Sequence, residues 1–264
     1  MKPPNTNGDA MTAALVVVPT YAEAENIGLL LHRIRVAAPD VDVLVVDDNS
    51  PDGTADLAEA AGRELGHIEV LRRLRKAGLG SAYRDGFAIG IAQGYDTLVE
   101  IDADLSHDPA ALPTLIREVE LGADLAIGSR YVPGGSIPSW SRFRRALSHY
   151  GNRYAAWILG VPCTDLTSGY RAFRADALLT ADYATTQATG YAFQVELAHR
   201  VARNGGHLTE VPIEFNDRTL GHSKMSARIT LEALVRVTWW GVADRMTRHH
   251  PPTELAPAAA RVAV

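Results

Sequence analysis

A chain of 264 residues, 47% of them hydrophobic, is long enough for one large α/β domain with a real core. Its formal net charge of −5 excludes a global attraction to nucleic acid or anionic lipid, so any anion binding has to be local. The single cysteine, Cys163, excludes an internal disulfide framework, fits a reducing compartment with cytosol as the default, and reads as a small buried side chain.

Residues 1–12 are polar and read as a disordered N-terminus, and the apolar stretch from Ala13 is ended by Pro19 too soon for a signal peptide. Short β-branched runs then alternate with helical spacing. Ala14–Val18, Val41–Val46, Ile68–Leu71, Thr97–Ile101 and Leu125–Ile127 predict strands; Ile27–Ala37, Thr54–Leu65, Ser81–Ala92 and Ala110–Leu121 predict helices. This alternation implies a single, mostly parallel sheet with helices on both faces and ligands at the carboxyl ends of the strands. Beyond it the pattern is less regular. Trp140–Leu159 predicts an amphipathic helix with Phe143, Leu147, Tyr150, Tyr154 and Ile158 on one stripe. Asp165–Phe173 reads as a polar loop entering a strand, followed by a helix near Phe193–Asn204, a strand near Thr209–Phe215 and a last helix over about 226–246. The folded domain is therefore expected over 13–247, with 248–264 a disordered Pro- and Ala-rich tail. No apolar run reaches the ~18 residues of a membrane-spanning helix.

Three strand ends carry chemistry: Pro19-Thr20-Tyr21-Ala22-Glu23, Asp47-Asp48-Asn49-Ser50, and Asp102-Ala103-Asp104. Two carboxylates two residues apart at the end of a buried strand suit a hard divalent cation, Mg²⁺ or Mn²⁺, which takes the rest of its shell from water and a diphosphate. The first strand lacks the G-x-G-x-x-G turn of a dinucleotide-binding fold. Gly78-Leu79-Gly80-Ser81 lacks a P-loop ending and reads as a tight turn opening a helix.

Taken in order, the segments Val16–Asn26, Val46–Thr54, Lys76–Tyr83, Asp102–His107, Gly128–Tyr131, Ser168–Phe173 and Asp217–Lys224 resemble the family-2 inverting glycosyltransferases of GT-A fold, and among them the dolichol- or polyprenol-phosphate mannose synthases. The resemblance spans about residues 14–225. It implies an α/β GT-A fold with a small acceptor-side extension, and transfer of mannose from GDP-mannose to a polyprenyl monophosphate with inversion. Pro19, Tyr21, Glu23, Val46, Asp48 and Ala103 are implied as donor contacts, with capping or turn stabilisation the other reading for Asp48 and packing for Tyr21. Asp102 and Asp104 would hold Mg²⁺ or Mn²⁺ against the donor diphosphate. Arg130, Arg218 and Lys224 would join these two carboxylates as catalytic and donor-binding groups, and Asp217–Lys224 suggests a lid with a glycine hinge. Arg130, Arg144 and Ser148 match positions that hold the acceptor phosphate. Ser106 stands where some relatives have a metal-binding Gln; His107 reads as a structural neighbour, and Asp165 as orienting Arg171 or the acceptor site.

The apolar stripe of 140–159, with Arg142, Arg144, Arg145 and Arg153 beside it, fits either the core or a membrane interface; Trp239-Trp240 poses the same choice, with the core favoured. Many relatives continue into membrane-spanning helices, so a peripheral location on the cytoplasmic face of a membrane, or a separate membrane-anchoring partner, is expected. Rival readings are a UDP-sugar hexosyltransferase acting on the same lipid, a silent nucleotide-sugar-binding subunit and a nucleotidyltransferase.

Overall fold

A computed structural model describes residues 13–188, 190–217 and 227–247. The expected disordered ends, 1–12 and 248–264, and Arg218 to Lys224 of the expected lid lie outside the described residues. Strand β1 (Ala14–Thr20) leads into helix α1 (Ala24–Ala37), β2 (Asp42–Asp47), α2 (Thr54–Leu65), β3 (Ile68–Arg72), α3 (Leu79–Ala92) and β4 (Thr97–Glu100). Helix α4 (Leu112–Glu120), β5 (Leu125–Ser129), α5 (Arg142–Leu159), β6 (Arg171–Arg174), α6 (Ala175–Thr180), α7 (Tyr191–Arg203), β7 (Leu208–Pro212) and α8 (Ala227–Thr247) follow.

The seven strands form one sheet in the order β3-β2-β1-β4-β6-β5-β7. All pairings are parallel except those of β6, which runs antiparallel to both β4 and β5. Leu15 to Val18 of β1 are completely buried, as both faces of a parallel strand must be when helices cover the sheet. Ile27, Leu30, Leu31 and Ile34 of α1 and Leu112, Leu115 and Val119 of α4 pack on one face; Tyr83 and Phe87 of α3 join α5, α6 and α7 on the other. Each fully buried aliphatic or aromatic side chain contributes roughly 1.5–3 kcal/mol.

Predicted elements match in type, with shifts at their ends. Helix α1 begins at Ala24 rather than Ile27, because the Glu23 carbonyl already accepts the amides of Asn26 and Ile27. The strand expected to reach Phe215 ends at Pro212, and Phe215 instead makes an isolated antiparallel bridge to His107. Helix α5 starts at Arg142 because the Ser141 side chain caps it, accepting the Arg144 amide. Among the described residues, no helix is long and apolar enough to cross a membrane.

Candidate active site

The carboxyl ends of β1 and β2 are stitched together by short polar side chains. Thr20 Oγ1 donates to Asp47 Oδ1 at 2.8 Å, the Ala22 amide to Ser50 Oγ, the Glu23 amide to Thr54 Oγ1 and the Ala24 amide to Asp52. Asp47 accepts the Ser50 amide and hydroxyl, and Asp52 those of Thr54, so these two residues stabilise the turn after β2. The capping role considered for Asp48 therefore falls to its neighbours. Asp48 is buried, takes Arg73 on Oδ1 at 2.5 Å, and accepts the amides of Ala77 and Gly78 on Oδ2 at 3.0 and 2.8 Å. It thus fixes the turn that opens α3. From that turn Lys76 reaches back, its Nζ 3.4 Å from the centroid of the Tyr21 ring. Tyr21, Glu23 and Pro19 are half-buried on this edge, and Glu23 Oε2 accepts the Asn26 side-chain amide. Val46 has no exposed surface and packs in the core under α3, so the seat predicted for it beneath a base is closed in this structure.

Strand β4, on the other side of β1, ends in the carboxylate pair. Asp104 is buried and its Oδ1 accepts the Ser106 amide at 3.0 Å, across a left-handed Leu105 (φ 61°). Ala103 between them is buried. The Asp102 side chain keeps 29% of its surface exposed, and His107 Nε2 lies 3.8 Å from its Oδ2. Burial pulls the His107 imidazole down to about 4, so it is neutral at pH 7 and acts as a packed ring between Tyr170 and Phe215. Gly169 passes so close that a Cβ there would lie 3.0 Å from Asp102 Oδ2. That bare backbone leaves room beside the exposed carboxylate. Among the described residues no group of three or more His, Cys, Asp or Glu forms a cage for a metal. The two aspartates fit the donor set of Mg²⁺ or Mn²⁺ that draws its remaining ligands from water and phosphate oxygens.

Arg130, at the end of β5, is almost enclosed. Its Nε and Nη2 donate to Asp165 at 2.7 and 2.6 Å, its backbone amide to Asp165 Oδ2, and Nη2 also to Thr167 Oγ1. Asp165 thus holds Arg130; the predicted link to Arg171 is absent from the hydrogen bonds of Arg171, which donates to the carbonyls of Leu166, Ser168 and Gln194. With 7% of its surface accessible, Arg130 has little left to offer a phosphate in this state. Arg144 is more open. Its guanidinium stacks on Trp140 at 4.0 Å and donates to Asp217, which also accepts the Trp140 indole N–H at 2.8 Å. Ser148 lies one turn beyond Arg144 on α5, half-buried.

Phe215 joins the two halves, with its ring against His107 on one side and against Trp140 and the Arg130 guanidinium on the other. The structure therefore gathers Tyr21, Glu23 and Asp48 at one end of a crevice, Asp102 and Asp104 in the middle, and Arg130 and Arg144 across an aromatic bridge. Arg73, Lys76, Thr167 and Gly169 escaped sequence reasoning. Lys76 and Gly169 fall inside the motifs that were singled out, but contact across 55 and 67 residues leaves no local trace.

A family profile described as Glycosyl transferase family 2 matches residues 15–180. The chain is 50% identical over 231 residues to the undecaprenyl-phosphate mannosyltransferase of Micrococcus luteus, covering 88% of this chain and 95% of that one. It is 48% identical over 235 residues to the polyprenol monophosphomannose synthase of Mycolicibacterium smegmatis, covering 89% of each. Among solved structures, glucosyl-3-phosphoglycerate synthase from Mycobacterium tuberculosis with UDP superposes with a TM-score of 0.65 at 20% identity, over 88% of this chain and 81% of that one. The same enzyme with Mn²⁺, UDP-glucose and glycerol 3-phosphate gives 0.60 at 22%, over 90% and 80%. The fold is GT-A.

Proposed function

The chain belongs to glycosyl transferase family 2, and on that footing we propose that it moves mannose from GDP-mannose onto a polyprenyl monophosphate with inversion, giving a β-linked lipid-phosphate sugar. The observation that carries this reading is the pair Asp102 and Asp104 at the end of β4, beside the β1–β2 edge, Asp104 buried and Asp102 partly exposed next to the bare backbone of Gly169. Relatives at 50% and 48% identity, named for mannosyl transfer to undecaprenyl phosphate and for polyprenol monophosphomannose synthesis, support the substrate class.

Asp102 and Asp104 would hold Mg²⁺ or Mn²⁺, which when bound offsets the charge developing on the departing nucleoside diphosphate. Tyr21, Glu23 and the Asp48-anchored turn line the proposed nucleoside end, with Pro19, Val46 and Ala103 supporting it from the strands. Arg144 and Ser148 take the acceptor phosphate, and Arg130, clamped by Asp165, adds positive potential behind them. Arg218 and Lys224 keep their proposed phosphate roles. A phosphate monoester, with a second pKa near 6, is largely a dianion at neutral pH and needs no base to become the nucleophile. The work left to the chain is alignment of that oxygen behind the anomeric carbon and screening of phosphate against phosphate. The proposed setting is a membrane surface reached from the cytoplasm, directly or through an anchoring partner.

The test is transfer of labelled sugar from GDP-mannose, UDP-glucose or UDP-galactose to a polyprenyl phosphate, with and without EDTA, for the natural chain and Asp104→Asn. GDP-mannose should be the preferred donor, and chelation or Asp104→Asn should abolish turnover. Full turnover in EDTA refutes the metal role, and preference for a UDP-sugar refutes the donor.

A further inference from the structure

Helices α5 and α8 turn an apolar surface outward that the crevice does not use. Phe143, Leu147, Tyr150, Tyr154 and Trp157 recur at helical spacing along one stripe of α5, with Phe143 79% and Trp157 67% exposed. The stripe predicted for either core or interface is therefore mostly outside, with Ile158 buried and Tyr154 half-buried against the core. Trp239 of α8, for which the core was favoured, is 69% exposed, while Trp240 packs against the core. Helix α8 lies against α5 at Gly241, where a Cβ would stand 2.5 Å from the Ile158 carbonyl, and the hydroxyls of Tyr154 and Thr238 meet at 2.8 Å. Beside this crossing is a groove of about 550 Å³ lined by Tyr154, Leu234, Val235, Thr238, Trp239 and Val242. An apolar concavity of this kind on an exposed surface calls for an occupant.

We infer that the α5 stripe and the α5–α8 groove form the track for the acceptor's isoprenoid chain, an assignment that rests on the lipid-phosphate acceptor proposed above. The stripe begins at Phe143 and Leu147, each one residue before the proposed headgroup residues Arg144 and Ser148. It enters the groove at Tyr154, about 15 Å further along the helix axis. Arg142, Arg144 and Arg145 cluster at the head of the stripe and an exposed apolar path leads from them, with Arg153 beside it and Arg245 stacked on Trp157 near its far end. A cluster of cations at the head and apolar surface beyond it suit an amphiphile with an anionic head. Helix α5 carries Arg142, Arg144, Arg145 and Arg153 and no Asp or Glu, in a chain whose net charge is −5. A second copy docking here about a two-fold axis would bring these arginine-rich helices together. A bilayer surface would use the exposed stripe but has no need of a groove.

The experiment compares citronellyl phosphate with undecaprenyl phosphate as acceptors in the same detergent, for the full-length chain and the variants Trp239→Ala and Val235→Glu. Both residues are well exposed, so thermal unfolding should move little. The natural chain should favour the long acceptor in kcat/KM, and each variant should cut that preference about tenfold, the equivalent of roughly two buried CH₂ groups. A preference that survives both substitutions overturns the track while leaving the lipid-phosphate function standing. So does a loss of vesicle binding, or a change of oligomeric state, with the preference intact; the first marks a bilayer contact and the second a self-association face. Transfer to neither acceptor by the natural chain overturns the function proposed above and this assignment with it.

Discussion

Removing the Asp165 carboxylate should cost more stability than any change on the surface of the crevice. Asp165 is wholly buried and accepts three hydrogen bonds from Arg130, two from the guanidinium at 2.7 and 2.6 Å and one from the backbone amide at 3.0 Å. Asp165→Leu leaves Arg130 charged in a site ringed by Tyr131, Trp140 and Phe215, with Thr167 Oγ1 still accepting from Nη2. Breaking one side of a buried pair costs about 3–5 kcal/mol, against a total stability of roughly 5–15 kcal/mol. Urea unfolding at pH 7 measures it. Pairing the change with Arg130→Met removes the stranded charge and should recover all but about 1–3 kcal/mol, the remainder being the Arg130 amide left without its acceptor. A single variant within about 1 kcal/mol of the natural chain would refute the reasoning, since no buried cation would then have been stranded. The double variant also separates two jobs of Arg130. If transfer returns with stability, Arg130 is a strut; if the fold returns and transfer does not, its charge serves the phosphates.

Gly169→Ala sets a methyl 3.0 Å from Asp102 Oδ2 and should weaken Mn²⁺ binding in the presence of nucleotide about tenfold by calorimetry, with little change in unfolding. Unaltered Mn²⁺ affinity would remove Asp102 from the metal. Arg144→Ala should raise the acceptor KM about tenfold while leaving the donor KM and the unfolding midpoint in place; an unchanged acceptor KM rules the residue out as a headgroup contact. Burial pushes the Asp124 carboxyl up, but hydrogen bonds from Arg174 and from the His207 amide outweigh it and hold it below its ordinary value of 3.8. Its stabilisation is thus present above the ordinary value and lost as pH falls through the depressed one. Asp124→Asn should cost about 1–3 kcal/mol at pH 7, and the gap to the natural chain should close in acid; a gap independent of pH contradicts this linkage.

Much of the sheet was legible because its central strands are buried on both faces, so β1 and β2 carry apolar runs at Ala14–Val18 and Val43–Val46, while β4 is short and brings a buried Thr97 and Glu100 on either side of Leu98 and Val99. Their carboxyl ends then located Tyr21, Asp48 and the Asp102–Asp104 pair by topology alone. What each side chain touches was less legible. For Asp48, expected as a donor contact, the other reading was a cap on its own turn, because Asp and Asn usually close their own turns; its partners instead lie 25 to 30 residues away at Arg73, Ala77 and Gly78. The stripe on α5 read equally as core or interface, since helical periodicity reports that a face is apolar and says nothing of what covers it. Trp239 was misjudged for the same reason.

Strand β6 explains why the acceptor half was harder still. It is four residues long and starts with an arginine that is completely buried, the reverse of what burial statistics suggest for that residue type. The guanidinium survives there because three backbone carbonyls, of Leu166, Ser168 and Gln194, accept its N–H groups, while burial drives its neighbour Glu100 up to about 8. Two of those carbonyls belong to the loop that enters β6. Because β6 runs antiparallel to β4 and β5, this loop arrives at the carboxyl end of the sheet, where a parallel strand would instead have delivered its own far end. One short segment consequently reaches both halves of the crevice: Asp165 grips Arg130 at the end of β5, and Gly169 clears space beside Asp102 at the end of β4. The inverted strand thus couples the proposed cation site to the acceptor-side arginine through a single loop, clasped from beneath by Arg171.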